Sequence, residues 1–378
     1  MQFADVPGHE ATKAALLAAA QTGRMPHALL FRGAAGVGKL PLAWALAQYL
    51  NCQQPTATDS CGTCASCRKS AGMVHPDVHW VAPIFLQTGK STTTDDHIEG
   101  LRALLTEQPY TSLRHWGDGL AADNRQLTIA IHEIRHLKHK LGLRAYEGGY
   151  KVVVLWHAEK VNTEAGNAFL KLLEEPPDKT VLLLTLEEPA QLLPTLTSRC
   201  QQMPVGRLPV EVIEAALAKA GEPADRAHEL AFLAEGSLGH ALAAATEGEG
   251  SLFAAYQQWL RWAYEGKLRN LVPWSETLGR DTKEAQKQFL EFALARLREV
   301  LALCTGAGAV VRVPTEYRTF LERMAPTLDP AAVERMYRAL DQAALYVQRN
   351  ANGPLTLLNL SLEVHGAFRA ARARAQAA

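Results

Sequence analysis

The stretch HALLFRGAAGVGKLPLAWALAQYL, His27 to Leu50, constrains the fold more than any other. A short apolar run ends at Phe31 and meets a glycine-rich turn. Leu42, Leu46 and Leu50 then recur four apart, the spacing of one helix face. Strand, glycine-rich turn and helix in this order are the setting of a phosphate-binding loop. The turn reads Gly33, four residues, Gly38, Lys39, so Gly33, Gly36, Gly38 and Lys39 are the candidate nucleotide contacts. A working loop continues with Ser or Thr, whose hydroxyl binds the Mg²⁺ that travels with a nucleotide. Leu40 stands there, followed by Pro41. Either nucleotide binding is degenerate, or the turn is an ordinary connection between strand and helix.

The rest of the first half keeps an α/β rhythm. Tyr150 to Trp156 and Thr180 to Leu186 are continuous apolar runs, as strands buried on both faces of a parallel sheet require. Between them Asn162 can cap a helix with the face Ala165, Phe169, Leu172 and Leu173, ending before Pro176 and Pro177. Ile131, Ile134, Leu137 and Leu141 repeat at helical period. Strands alternating with helices mean an α/β domain. Pro83 to Gln126 breaks the rhythm; it reads as a surface-borne insertion with one helix around Asp96 to Leu105.

After about Gly206 no strand-like run persists. Asp329 and Pro330 suit the cap and first turn of a helix with the stripe Val333, Met336, Leu340, Ala344 and Val347. The tail FRAARARAQAA reads as frayed. The expected organisation is an α/β domain over 1–206, a small helical domain over 207–250 and a helical domain over 251–378.

Cys52, Cys61, Cys64 and Cys67 follow the spacing C-x8-C-x2-C-x2-C within a module of about residues 51–70. Two successive CxxC steps in a reduced compartment point to a closed site of four thiolates, with zinc as the default metal and an iron–sulfur cluster as its rival. Cys200 and Cys304 are solitary and read as packing residues. Basic and acidic residues balance at 39 each, which argues against nucleic acid as the main direct partner. No run approaches the roughly 18 apolar residues of a membrane span. The N-terminus lacks a basic segment followed by an apolar one, so a cytoplasmic location is expected.

These pieces, in this order, resemble the delta-prime family of the bacterial DNA polymerase III clamp loader. The similarity starts at FADVPGHEATKAALLAAAQTGRMPHALLFRGAAGVGK and continues through the four-cysteine module and the HPD of His75 to Asp77. It resumes at YKVVVLWHAEKVNTEAGNAFLKLLEEPPDKT, PAQLLPTLTSRC and RNANGPL. The resemblance implies an AAA+ protein: a RecA-like domain with an inserted zinc module, a helical lid and a helical collar. It also implies a hetero-pentameric ring with gamma/tau and delta subunits, which loads the sliding clamp onto primed DNA. No membrane enters that picture.

Set against active members of such rings, five residues at four motif sites depart from the pattern. Leu40 replaces the metal-binding hydroxyl; Trp156 and His157 stand where Asp and Glu hold Mg²⁺ and orient water. Glu187 stands where a small polar sensor is usual. In GSLGHAL, Gly236 to Leu242, Gly239 takes the place of the lid arginine. ATP binding is therefore doubtful, and no intrinsic ATPase is expected; polymerase activity belongs to the whole holoenzyme. Ser198, Arg199 and Cys200 look like the arginine-finger motif offered to a neighbouring subunit's ATP, a local salt bridge being the plainer reading of Arg199. The expected function is a non-hydrolysing stator. The alternatives are a gamma/tau-type motor ATPase and a zinc-dependent DNA-binding protein.

Overall fold

A computed structural model describes residues 1–86, 91–121, 125–187, 192–247, 250–308, 311 and 313–377. The chain divides into two compact units, Met1–Ala245 and Thr246–Ala378.

In the first unit the strands are β1 (Ala28–Arg32), β2 (Val78–Val81), β3 (Ile84–Phe85), β4 (Leu127–Thr128), β5 (Lys151–Leu155), β6 (Thr180–Leu186) and β7 (Gln201–Pro204). Its helices are α1 (Glu10–Gln21), α2 (Lys39–Leu50), α3 (Ala65–Ala71), α4 (Ile98–Glu107), α5 (Leu113–Gly119), α6 (Ile131–Gly142), α7 (Thr163–Glu174), α8 (Pro194–Thr197), α9 (Val210–Lys219), α10 (Ala224–Leu233) and α11 (Leu238–Glu247). A five-stranded parallel sheet runs in the order β2-β5-β6-β1-β7, as the apolar runs predict.

Alternate side chains of each strand go to opposite layers. Leu29, Phe31, Val152, Val154, Val181 and Leu183 meet α1 and α2, while Leu30, Val153, Leu155, Leu182 and Leu184 meet α6 and α7. Both faces are thus buried, and this is why the strands carry no polar alternation. Asn162 caps α7 as expected, its Oδ1 accepting from Ala165 N at 2.8 Å.

The segment from Pro83 to Gln126 departs from the expected surface excursion. It forms a second helix, α5, besides α4, and Leu101, Leu105 and Trp116 belong to the same core as α2. Trp116 Nε1 donates to the Pro83 carbonyl at 2.7 Å, closing the segment on itself. A seven-residue helix with one buried apolar side chain leaves too little periodicity to be read from sequence. Helices α9 to α11 enclose a separate small core around Ile213, Leu217 and Leu230, against which Tyr110 packs.

The second unit holds α12 (Gly250–Glu265), α13 (Leu268–Arg280), α14 (Lys283–Cys304), α15 (Thr315–Met324), α16 (Pro330–Gln348) and α17 (Gly353–Ala377). Its core is aromatic: Phe253 stacks on Tyr317 at 3.6 Å between centroids, and buried Trp259 donates to Ser361 Oγ at 2.9 Å. Asp329 caps α16 through Ala332 N at 2.7 Å. Val333, Met336, Leu340 and Val347 are buried as predicted, with Ala343 taking the buried place expected of Ala344, which is half-buried. The tail is not frayed. It continues α17, because Arg374 pairs with Asp329 at 2.6 and 2.9 Å and Phe368 and Ala371 enter the core. No helix among the described residues is long and apolar enough to cross a membrane.

Candidate functional site: a blocked phosphate loop and a four-cysteine module

The loop between β1 and α2 follows the carboxyl end of β1, the side of the sheet where α/β proteins place their ligands. Gly36 and Gly38 adopt positive φ, 68° and 107°, which lets the chain curl tightly. Lys39 is 5% exposed. Its Nζ donates to the carbonyls of Gly33 at 3.0 Å and Ala34 at 2.5 Å, and to Glu187 Oε1 at 3.1 Å. An ammonium has three protons, and all three have partners within the protein. Burial pulls Lys39 below its usual pKa, and the charge of Glu187 opposes that shift.

The other positions that the resemblance marks as departures are mostly packed or paired within the fold. Leu40, where a metal-binding hydroxyl would stand, is buried in the core shared with α1. Trp156, at the end of β5, is 4% exposed in that same core. His157 follows in a left-handed conformation, φ 58°, with Nδ1 2.7 Å from Glu159 Oε1 and 4.0 Å from Glu187 Oε2. Burial pushes Glu159 up, but the hydrogen bond from His157 and its charge hold the carboxyl below its usual value. Ligand-type atoms of His157, Glu159 and Glu187 lie within 4.8 Å of one another, but Lys39 already supplies a cation to this group. Gly239 N donates to the Gly36 carbonyl at 2.9 Å, and a Cβ on Gly239 would lie 2.8 Å from both Gly36 Cα and the Tyr110 carbonyl. A side chain at 239 would collide with backbone.

Arg199 lies well apart in role. It is half-exposed and paired with Glu174, with Nη2 and Nε at 2.7 and 2.8 Å from Oε1; Nη1 donates to the Thr195 carbonyl at 3.1 Å. Ser198 donates to that same carbonyl at 3.1 Å. Cys200 is buried behind them, and burial pushes its thiol up to about 11.

The four cysteines converge. Their Sγ atoms lie within 4.8 Å of one another, with Cys61 and Cys67 at 3.9 Å. A tetrahedron with 2.3 Å metal–sulfur bonds has edges of about 3.8 Å, so the cluster fits one tetrahedral ion. A multi-iron cluster between the thiolates would hold them further apart. Backbone N–H groups of Cys61, Cys64 and Cys67 point at Cys52, Cys61 and Cys64 sulfurs, 3.2 to 3.4 Å away, and such donors favour thiolate. The N–H of Cys64, with that of Thr63, pulls the Cys61 thiol down to about 6. The module is docked firmly. Asp59 accepts from Phe3 N and Ala4 N, Gln48 donates to Ser60 Oγ, and Trp44 donates to the Ser70 carbonyl. Asp77 of the HPD triplet accepts from Tyr146 N and Glu147 N at 2.6 and 2.8 Å, tying the end of the module to the loop before β5.

The structure adds partners that sequence did not single out: Glu159, Tyr110, Glu174 and Ser237. Ser237 lies within GSLGHAL, yet each of the four is defined by what folds against it.

A family described as DNA polymerase III, delta subunit, matches residues 8–208. The chain is 38% identical over 179 residues to DNA polymerase III subunit delta' of Yersinia pestis, covering 47% of this chain and 41% of that protein. It is 34% identical over 215 residues to subunit delta' of Pseudomonas aeruginosa, covering 56% and 53%. Subunit tau of Escherichia coli is 31% identical over 260 residues, 66% and 34%. The chain therefore spans about half or less of the length of these relatives.

Removing the carboxylate from Glu187 leaves the buried Lys39 ammonium with carbonyl partners alone. Glu187→Ala should destabilise the first unit by about 1–3 kcal/mol, discounted for the partial exposure of Glu187, in denaturant unfolding. An unchanged midpoint would mean that the Lys39–Glu187 pair contributes nothing.

Proposed function

This chain belongs to the delta-prime subunit family of DNA polymerase III, and on that footing we propose that it is a clamp-loader subunit that holds shape and does not hydrolyse ATP. In this reading it has the AAA+ arrangement and sits in a pentameric ring with gamma/tau and delta subunits. The ring opens the sliding clamp and closes it on primed DNA during replication, in the cytoplasm. One observation carries the proposal: every proton of Lys39 is bound inside the protein, by two loop carbonyls and by Glu187. A nucleotide phosphate would have to displace all three while meeting the negative charge of Glu187. Mg²⁺ would find Leu40 and Trp156, which offer no oxygen.

Arg199 is the group this chain lends to its neighbour. Its pair with Glu174 is exposed, and such pairs are worth about 0–1 kcal/mol, so the guanidinium can be released at little cost when a more negative partner arrives. Charge developing on a transferring phosphoryl group is such a partner. The four-cysteine module holds one zinc ion, a closed site that stabilises structure and leaves no position for substrate.

The purified chain should hydrolyse ATP no faster than buffer. Motor-like turnover abolished by Lys39→Ala would overturn the stator reading.

In reconstituted loader, Arg199→Ala should leave assembly intact and lower DNA-stimulated ATP hydrolysis. Fingers supply roughly 10³- to 10⁵-fold at one site, diluted here by the sites that keep theirs. Arg199→Lys should rescue poorly, because an ammonium lacks the planar fork. Full activity in an assembled Arg199→Ala loader would leave Arg199 a surface residue.

Elemental analysis should find one zinc per chain. Cys64→Ser should lose the metal and locally unfold residues 51–70, seen as protease cutting within the module. Metal-free protein with an intact, resistant module would remove zinc from the account.

A further inference from the structure

We propose that the phosphate loop has become a docking seat for the helical segment that follows Gly206, forming a latch of protein groups that holds α11 closed on the loop. The proposal rests on the stator reading and adds the mechanical reason for it.

The latch has two sides that fit only each other. Ser237 is 3% exposed at the start of α11; its Oγ accepts from His240 N at 3.2 Å, as a helix cap, and donates to the Ala35 carbonyl at 2.9 Å. Gly239 N, one of the first-turn donors that a helix cannot satisfy internally, donates to the Gly36 carbonyl at 2.9 Å. One backbone donor of the amino end of α11 and its cap hydroxyl therefore go to loop carbonyls. In a nucleotide-binding protein a helix start of this kind is free to meet a phosphate.

Close approach is what makes these bonds possible. A Cβ on Gly36 would lie 2.3 Å from Ser237 Oγ and 3.0 Å from Gly239 Cα. A Cβ on Gly239 would strike Gly36 Cα and the Tyr110 carbonyl. Tyr110 completes the seat: its ring packs on the small core of α9 to α11 and stands 3.3 Å from where a Gly38 Cβ would be. The segment Pro83 to Gln126 thus supplies the third wall of the latch. Glycine at 36 is required by its positive φ and by the close contact with α11, both independent of phosphate. Glycine at 239 is required by that same contact, so the absent lid arginine is a steric necessity here.

Amide hydrogen exchange on the full-length chain tests this. In the wild type the Gly239 amide should be protected. Ser237→Ala removes one atom from the latch, and Gly239→Arg puts a side chain where backbone stands. Either should speed exchange in residues 33–38 and in the first turn of α11 together, on the order of tenfold, with α7 unchanged. If Gly239→Arg fails to fold, Ser237→Ala still decides. A wild-type Gly239 amide exchanging as fast as an exposed one would overturn the latch, as would a Ser237→Ala chain whose loop and α11 exchange as in the wild type. ATP turnover measured on the same preparation separates the two readings. Turnover with a protected Gly239 overturns the stator and leaves the latch; an inert chain with an unprotected Gly239 overturns the latch alone.

Discussion

A buried ammonium must find partners for its protons, and in the first unit that requirement organises the loop above the central sheet. Lys39 begins α2, yet its Nζ reaches back to the carbonyls of Gly33 and Ala34 and across to Glu187 after β6. One side chain thereby ties the end of β1, the start of α2 and the end of β6 into one knot. An unpaired charge in this place would cost several kcal/mol, so each member of the knot holds the others in register. The lysine that a nucleotide enzyme aims at phosphate serves here as an internal clamp.

The same exchange of chemistry for packing recurs at neighbouring positions. Leu40 and Trp156, at positions where the resemblance would place a hydroxyl and an acid, both lie in the core that α1 and α2 share with the sheet. His157 keeps a strained left-handed backbone and pairs with Glu159 in place of water or metal. Apolar residues at these places gain burial that catalytic ones would forgo, so the substitutions are mutually consistent. The loop, α11 and the segment carrying Tyr110 meet closely, through the backbone of Gly36, Gly239 and Tyr110 and the side chain of Ser237. The cysteine module is bound into this body by Asp59, Gln48 and Trp44, so its order and that of α2 are coupled.

Misreadings of the sequence have a common cause. Leu101 and Leu105 lie in the helix read around Asp96 to Leu105, but Trp116 lies in a seven-residue helix too short for periodicity to show, and nothing local says that all three enter the core of α2. The alanine- and arginine-rich tail looks weak locally, but it is held from a distance by Asp329. Arg199 carries a motif; its partner Glu174 sits 25 residues earlier, brought near by the packing of α8 against α7.

What the sequence determined by itself was everything that depends on spacing along the chain. The buried parallel strands, the caps at Asn162 and Asp329, the clustered cysteines and the departures at Leu40, Trp156, His157, Glu187 and Gly239 are local patterns, written in residue type and interval. Tertiary structure alone decided what those departures are for. Lys39 and Glu187 are 148 residues apart, and Ser237 and Ala35 are 202 apart, so neither pair leaves a trace in any window of sequence. A glycine retained for phosphate and a glycine retained for the backbone of another helix are the same letter. The difference lies in which atoms stand within 3 Å of the missing side chain, and only the fold brings those atoms there.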